Sequence, residues 1–230
     1  MTAFDAGDNP LRSESPVAWD DLIQAAGPPS LLVVIESRMS AALRRRIAPE
    51  DIFQEALLHA WRDRARCEWR GVKAFRSWLL SIIDHRIRDA ADREDAEKRG
   101  GGRAVVSINT GESGSFSGTG AGQPVMPPAL VASTTPSRVA IYREQAQAMR
   151  AAIEALPDEL REVVRLRLFE QRTIEQIAAQ LSLGEAAVRH RFRKGAEAYQ
   201  RRLTAALASR SHSPAADSAP RPHTDSSSID

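Results

Sequence analysis

The chain has 230 residues, 42% of them hydrophobic, and a formal net charge of only +2. That is enough material for one or two domains with real cores, and it excludes a polycation. Its single cysteine, Cys67, excludes an intramolecular disulfide and a cysteine-rich zinc site, which fits a reducing compartment.

The N-terminal stretch MTAFDAGDNPLRSESP is acidic and polar, unlike a signal peptide. Residues 1–16 read as a disordered leader. The longest strongly apolar run, Leu31–Ile35, is far short of the roughly 20 residues that span a membrane. The expectation is a soluble cytoplasmic protein with no membrane insertion.

A short helix is expected over Trp19 to Ala26, stopped by Gly27-Pro28-Pro29. Ser30 is a candidate cap for a helix over 31–46, with Leu31, Leu32, Ile35, Met39 and Leu43 on its apolar side. Pro49 suits the first turn of the next helix, about 49–65, where Glu50 and Asp51 complement the positive end of the dipole. Ile52, Phe53, Ala56, Leu57, Ala60 and Trp61 make its buried stripe. Asp51, Gln54, Glu55 and His59 fall on its other face. After a turn around Gly71, a helix is expected from about Val72 to Ala96. Phe75, Trp78, Leu79, Ile82, Ile83 and Ile87 lie on one side; Arg76, His85, Arg86, Arg88 and Arg93 lie mostly on the other.

Composition then shifts. Gly100-Gly101-Gly102 and GESGSFSGTGAGQP from Gly111 to Pro124 are flexible-linker chemistry, placed at 98–136. A joint of this length predicts two modules that move independently, each with its own core. Helices are expected over 137–155 and 157–169, the second with Leu160, Val163, Val164 and Leu168 apolar. After about Leu207 the tail, 208–230, reads as disordered. No alternating strand pattern bounded by hairpin turns occurs, so the fold class is all-α.

Residues 173–202 carry the clearest motif. Thr173 with Gln176 three residues on is a capping-box pattern. Ile174, Ile177, Ala178 and Leu181 follow at helical spacing. Ser182-Leu183-Gly184 breaks the period, and a longer basic helix begins with Val188, Phe192 and Tyr199 inward. A short helix, a tight turn and a basic helix make a helix-turn-helix, whose second helix shows its first residues to base edges in the major groove. Gly184 occupies the expected cap position, and Ser182 with Glu185 offers an alternative capping box. A helical hairpin with arginines on a solvated face would share the pattern.

Two separated stretches resemble the sigma-70 family of bacterial transcription initiation factors, in its small extracytoplasmic-function form. PEDIFQEALLHAWR (Pro49–Arg62) and FRSWLLSIIDHRIRD (Phe75–Asp89) are similar to the first conserved module of that family. LPDELREVVRLRLFEQRTIEQIAAQLSLGEAAVRHRFRKGAEAYQRRL (Leu156–Leu203) is similar to its DNA-binding module nearly end to end. The resemblance implies a region-2-like domain over 17–97 and a region-4-like domain over 137–207. It implies a non-enzymatic protein without a cofactor, whose partners are core RNA polymerase, through the beta-prime clamp helices and the beta subunit, and promoter DNA.

The resemblance also implies residue roles. Asp51, Gln54 and Glu55 match the polymerase-docking face. Arg76, Ser77, His85, Arg88 and Arg93 match the segment that opens and reads the downstream element, around minus ten. Glu185, Ala186, Arg189, His190, Arg191, Arg193 and Lys194 match the helix that reads the upstream element, around minus thirty-five. Phe75 and Trp78, three apart, are read as core rather than as platforms for bases. Asp84-His85 departs from the Arg-Asn common in the family. An anti-sigma regulator holding the modules together is a further implied partner.

Two other readings are open at this point. A helix-turn-helix regulator acting without polymerase would explain 173–202 and leave 49–62 and 75–89 as coincidence. A recombinase would need an α/β catalytic domain, against which the helical N-terminal half argues.

Overall fold

The computed structural model describes residues 9–13, 15–98 and 135–211. The leader, the linker and the tail expected from composition fall largely outside these residues. Among the described residues there is no strand.

Proline sets several of the helix starts. Helix α1 covers Pro16–Ala26, α2 Pro28–Arg38, α4 Pro49–Asp63 and α6 Pro136–Glu154, each with proline in its first turn. A helix's first N–H groups have no intrahelical acceptor, so proline loses nothing there. Gly27 ends α1 and begins α2 at φ 75°, a left-handed corner that a side chain would strain. Ser30 is therefore not the cap expected of it. It lies within the first turn of α2, donating to the Gly27 carbonyl at 2.7 Å. The expected 31–46 helix is also two pieces. It stops at Arg38, and Ser40 caps the one-turn helix α3, Ala41–Arg44, by accepting from the Leu43 amide.

Helix α5, Val72–Lys98, crosses α4 and completes the first module. Trp19, Phe53, Phe75, Leu79 and Ile83 are fully buried between these helices. Trp19 meets Trp61 and Phe75 edge-on, at ring centroid distances of 5.2 and 5.9 Å. Phe75 is thus core, as its spacing predicts, and half-buried Trp78 packs beside it at 5.8 Å.

In the second module α6 is followed by α7, Asp158–Val164, a wide turn over Arg165–Phe169, α8, Ile174–Leu181, and α9, Glu185–Ser211. The capping box on α8 is complete, with Thr173 accepting from the Gln176 amide and Gln176 from the Thr173 amide. Ser182 terminates α8 at φ 53°, so it closes the preceding helix and does not open a capping box with Glu185. Val163, Leu166, Ile177, Ala178 and Val188 form the small core of the helix-turn-helix.

The modules do not stand apart. Helix α6 lies along α2, and Tyr142, Ala146, Ala152 and Ile153 join the core built by α1, α2 and α4. The expectation of two independent cores is corrected. The first module shares one apolar interior with α6 and with Leu156, Val164, Phe169, Ala198 and Tyr199 of the second, and the helix-turn-helix keeps a small separate cluster beside it. Burying a large apolar side chain is worth about 1.5–3 kcal/mol, so this seam holds chiefly by apolar contact.

Gly195 shows how tightly α9 sits on α7. A Cβ there would stand 2.5 Å from Val164 Cγ2 and 3.3 Å from Leu160 Cβ. Gly195→Ala is expected to lower unfolding stability by about 1–3 kcal/mol in urea titrations. Gly184→Ala, whose Cβ meets nothing within 4 Å, is expected to stay within about 0.5 kcal/mol of the parent.

Candidate nucleic-acid and polymerase interface

Asp51, Gln54 and Glu55 stand three and four residues apart on α4, which places them on one face. Asp51 is exposed and the other two are half-buried. Glu55 lies 3.7 Å from Arg93 of α5. This face is acidic, sits at the positive end of the α4 dipole, and is rigid because Ile52, Phe53, Ala56 and Leu57 anchor the helix behind it.

Helix α5 presents a second surface. Ser77, Ser81, His85 and Arg88 recur at helical spacing and are all exposed. His85 donates through Nδ1 to the Ser81 carbonyl at 2.7 Å, which turns Nε2 away from the backbone. Arg93 lies further round the helix, its Nε donating to the Asp89 carbonyl at 3.1 Å. Ser77, His85 and Arg88 are therefore brought together, with Arg93 on the flank facing α4.

Arg76 is not with them, and its expected place on this surface is corrected. It is 2% exposed. Its guanidinium donates to the carbonyls of Ala26 and Gly27 and, at 2.9 Å, to that of Phe169 in the second module. Burial pulls it down to about 10, so it stays charged at neutral pH. In this arrangement it is bonded inward and is not presented to DNA. Arg86 also turns inward, towards His59 at 2.9 Å and Asp89 at 2.8 Å.

The junction of α4 and α5 was not singled out from the sequence. It contains Arg64, Arg66, Trp69 and Arg70, and Arg64 lies 4.0 Å over the ring of Trp61 while donating to its carbonyl. Cations interleaved with tryptophans are the chemistry of single-stranded nucleic acid, where rings stack on bases and guanidinium groups meet phosphates. The signal was present as RDRARCEWRG, but it reads as a mere turn when only helices are sought.

The third surface is the start of α9. Ala186, Arg189, His190 and Arg193 line one shallow groove, with exposed Glu185 and Lys194 at its margins. Arg189 is held by Glu185 at 2.7 Å, one turn back. Arg191 is the exception among the expected residues. It turns towards α7 and lies 3.9 Å from Glu159, so it does not line the groove. Among the described residues no helix is long and apolar enough to cross a membrane.

A helical module with an acidic face on α4, joined to a helix-turn-helix with a basic groove on α9, has the plan of a DNA-binding protein. Residues 32–97 match the sigma-70 region 2 family and residues 146–198 match sigma-70 region 4. The ECF RNA polymerase sigma-E factor of Escherichia coli K12 is 27% identical over 178 residues, covering 76% of this chain and 85% of that protein. The sigma-E factor of Salmonella typhimurium LT2 is 26% identical over 178 residues, with the same shares of the two chains covered. The probable RNA polymerase sigma factor RfaY of Xanthomonas campestris is 28% identical over 192 residues, covering 82% of this chain and 42% of that protein. The chain belongs to the sigma-70 family, as a sigma factor of the extracytoplasmic-function type that binds RNA polymerase and directs it to promoters.

His59 of α4 faces Arg86 of α5 at 2.9 Å. Burial first, then Arg86 and Arg62, hold its pKa below the usual 6.5. The folded state therefore favours the neutral ring, which accepts from Arg86. Its contribution is complete above about pH 6.5 and is lost as pH falls below that value, because the unfolded chain takes up the proton first. Urea unfolding is expected to show lower stability at pH 5.5 than at 7.5, and a smaller difference in His59→Gln. Equal pH dependence in the two proteins would count against this role for His59.

Proposed function

We propose that the two domains, 17–97 and 137–207, divide the work of promoter recognition. Asp51, Gln54 and Glu55 dock on the clamp helices of the polymerase beta-prime subunit, and the second domain contacts the beta subunit. Acidic and amide groups on a rigid helix face suit a basic coiled coil, since opposed charge steers the encounter and sets register. The α5 stripe of Ser77, His85 and Arg88, with Arg93 and the Arg-Trp junction before it, takes the opened downstream element. The groove of Ala186, Arg189, His190 and Arg193 reads the upstream element, with Glu185 and Lys194 beside it. The protein performs no catalysis of its own, works in the cytoplasm, and has the family's class of regulator, an anti-sigma factor, as a further partner.

The observation that carries this reading is the pairing of an acidic face on α4 with an exposed basic groove on α9, in one chain, in the family's order. The test is co-migration of the full chain with bacterial core polymerase on a sizing column, followed by transcription from a pool of genomic promoter fragments. Asp51→Arg combined with Glu55→Arg is expected to abolish co-migration while leaving the helical signal unchanged. Retained co-migration would remove α4 from the docking surface.

The DNA assignment separates the arginines of α9. Arg189→Ala and Arg193→Ala are each expected to weaken upstream-element binding. A residue that reads a base loses about 1–3 kcal/mol of discrimination at one base pair, whereas a phosphate contact weakens all sequences evenly. Arg191→Ala is expected to bind as the parent does, since its side chain turns to Glu159. A larger loss in Arg191→Ala than in Arg189→Ala, by titration against promoter duplexes, would place the recognition face elsewhere.

A further inference from the structure

Three side chains on α5 share one hydrogen-bonding habit. Ser77, Ser81 and His85 stand four residues apart, so they line up along one exposed face at intervals of about 6 Å. Each gives its proton to the helix's own backbone. Ser77 Oγ donates to the Lys73 carbonyl at 3.1 Å, Ser81 Oγ to the Trp78 carbonyl at 2.6 Å, and His85 Nδ1 to the Ser81 carbonyl at 2.7 Å. A carbonyl only accepts, so the side chain is the donor in all three.

Lone pairs are what remain on the outer side. A hydroxyl that has donated keeps its acceptor sites, and a neutral ring protonated at Nδ1 has only a lone pair at Nε2. The two serines can rotate their hydrogens outward at the cost of the inner bond. His85 cannot become an outward donor without turning its ring away from Ser81 or taking on a second proton. Exposed Lys73 and Arg88 stand at the two ends, about 22 Å apart along the helix axis. The surface is thus a ladder of acceptors between two cations.

Base edges divide cleanly against such a ladder. At the major-groove edge adenine N6 and cytosine N4 donate, whereas guanine and thymine present only acceptors. An amine meets Nε2 in a hydrogen bond. A carbonyl oxygen meets it lone pair to lone pair and leaves both groups unpaired. That edge stays available when the strands part. The flanking cations suit phosphates, which carry no sequence information.

We propose that the Ser77, Ser81 and His85 ladder selects a downstream base bearing an exocyclic amine, adenine or cytosine, with His85 as the specificity-determining residue. The inference rests on α5 being the downstream surface, and it narrows that reading to a class of base.

The test uses the full chain with bacterial core polymerase at pH 8, on promoter fragments randomised over the downstream element. The parent, His85→Phe, His85→Asn and Arg88→Ala are compared after circular dichroism shows equal helical content. The parent is expected to retain adenine or cytosine at one position, and His85→Phe, which keeps a ring but has no acceptor, to lose that preference. Adenine at that position is then replaced by purine, or cytosine by 2-pyrimidinone, each lacking only the amine. The parent is expected to bind the amine-free fragment about five- to tenfold more weakly, and His85→Phe to bind both alike. His85→Asn, whose amide both accepts and donates, is expected to admit guanine or thymine as well. A parent preference for guanine or thymine at the position that His85→Phe alters would overturn the ladder. So would an equal amine effect in the two proteins, or no altered position at all. Arg88→Ala separates this from the reading beneath it. A loss spread evenly over all sequences keeps α5 on the DNA, so that failure of the His85 variants strikes the ladder alone. Binding equal to the parent's by both Arg88→Ala and His85→Phe would remove α5 from the DNA and defeat the two together.

Discussion

The two modules meet around a buried guanidinium, which needs protein acceptors because water does not reach it. Arg76 stays charged at neutral pH, and water cannot solvate it where it sits. Its acceptors come from the end of α1, the corner at Gly27 and the turn after α7. The Ala26 and Phe169 carbonyls stand where a helix ends or widens, while the Gly27 carbonyl already accepts from Leu31 and Ser30 and adds only a long contact at 3.5 Å. The left-handed corner at Gly27 and the wide turn over Arg165–Phe169 are therefore parts of one device. Removing an acceptor would leave a buried charge short of a partner, a far larger loss than the 0–1 kcal/mol of an exposed ion pair.

The seam between the modules mixes two kinds of force with different consequences. Apolar burial around Tyr142, Ala146 and Ile153 gives it strength without direction. The arginines of α6 give it register, since each meets an acid on a different helix and a shift along α6 would break them together. Charge also makes the seam sensitive to ionic strength. The Arg143 side chain is half exposed, so its pair with Glu50 is weakened by salt where an apolar contact is not.

Much of this was legible in the sequence, and the exceptions share a cause. The capping box at Thr173 and Gln176, the proline starts of α4 and α6, and the buried faces of α4 and α5 follow from spacing within a few residues. The inward turn of Arg76 does not, because its partners at 26, 27 and 169 are distant in sequence. Arg191 was expected beside Arg189, but the helix turns it to Glu159, thirty-two positions earlier. Ser182 misleads for a subtler reason. A serine before a glutamate suits a helix start, yet the residue was already committed to the left-handed end of α8. The independence of the modules was inferred from linker composition, which reports on the tether and not on the surfaces it joins.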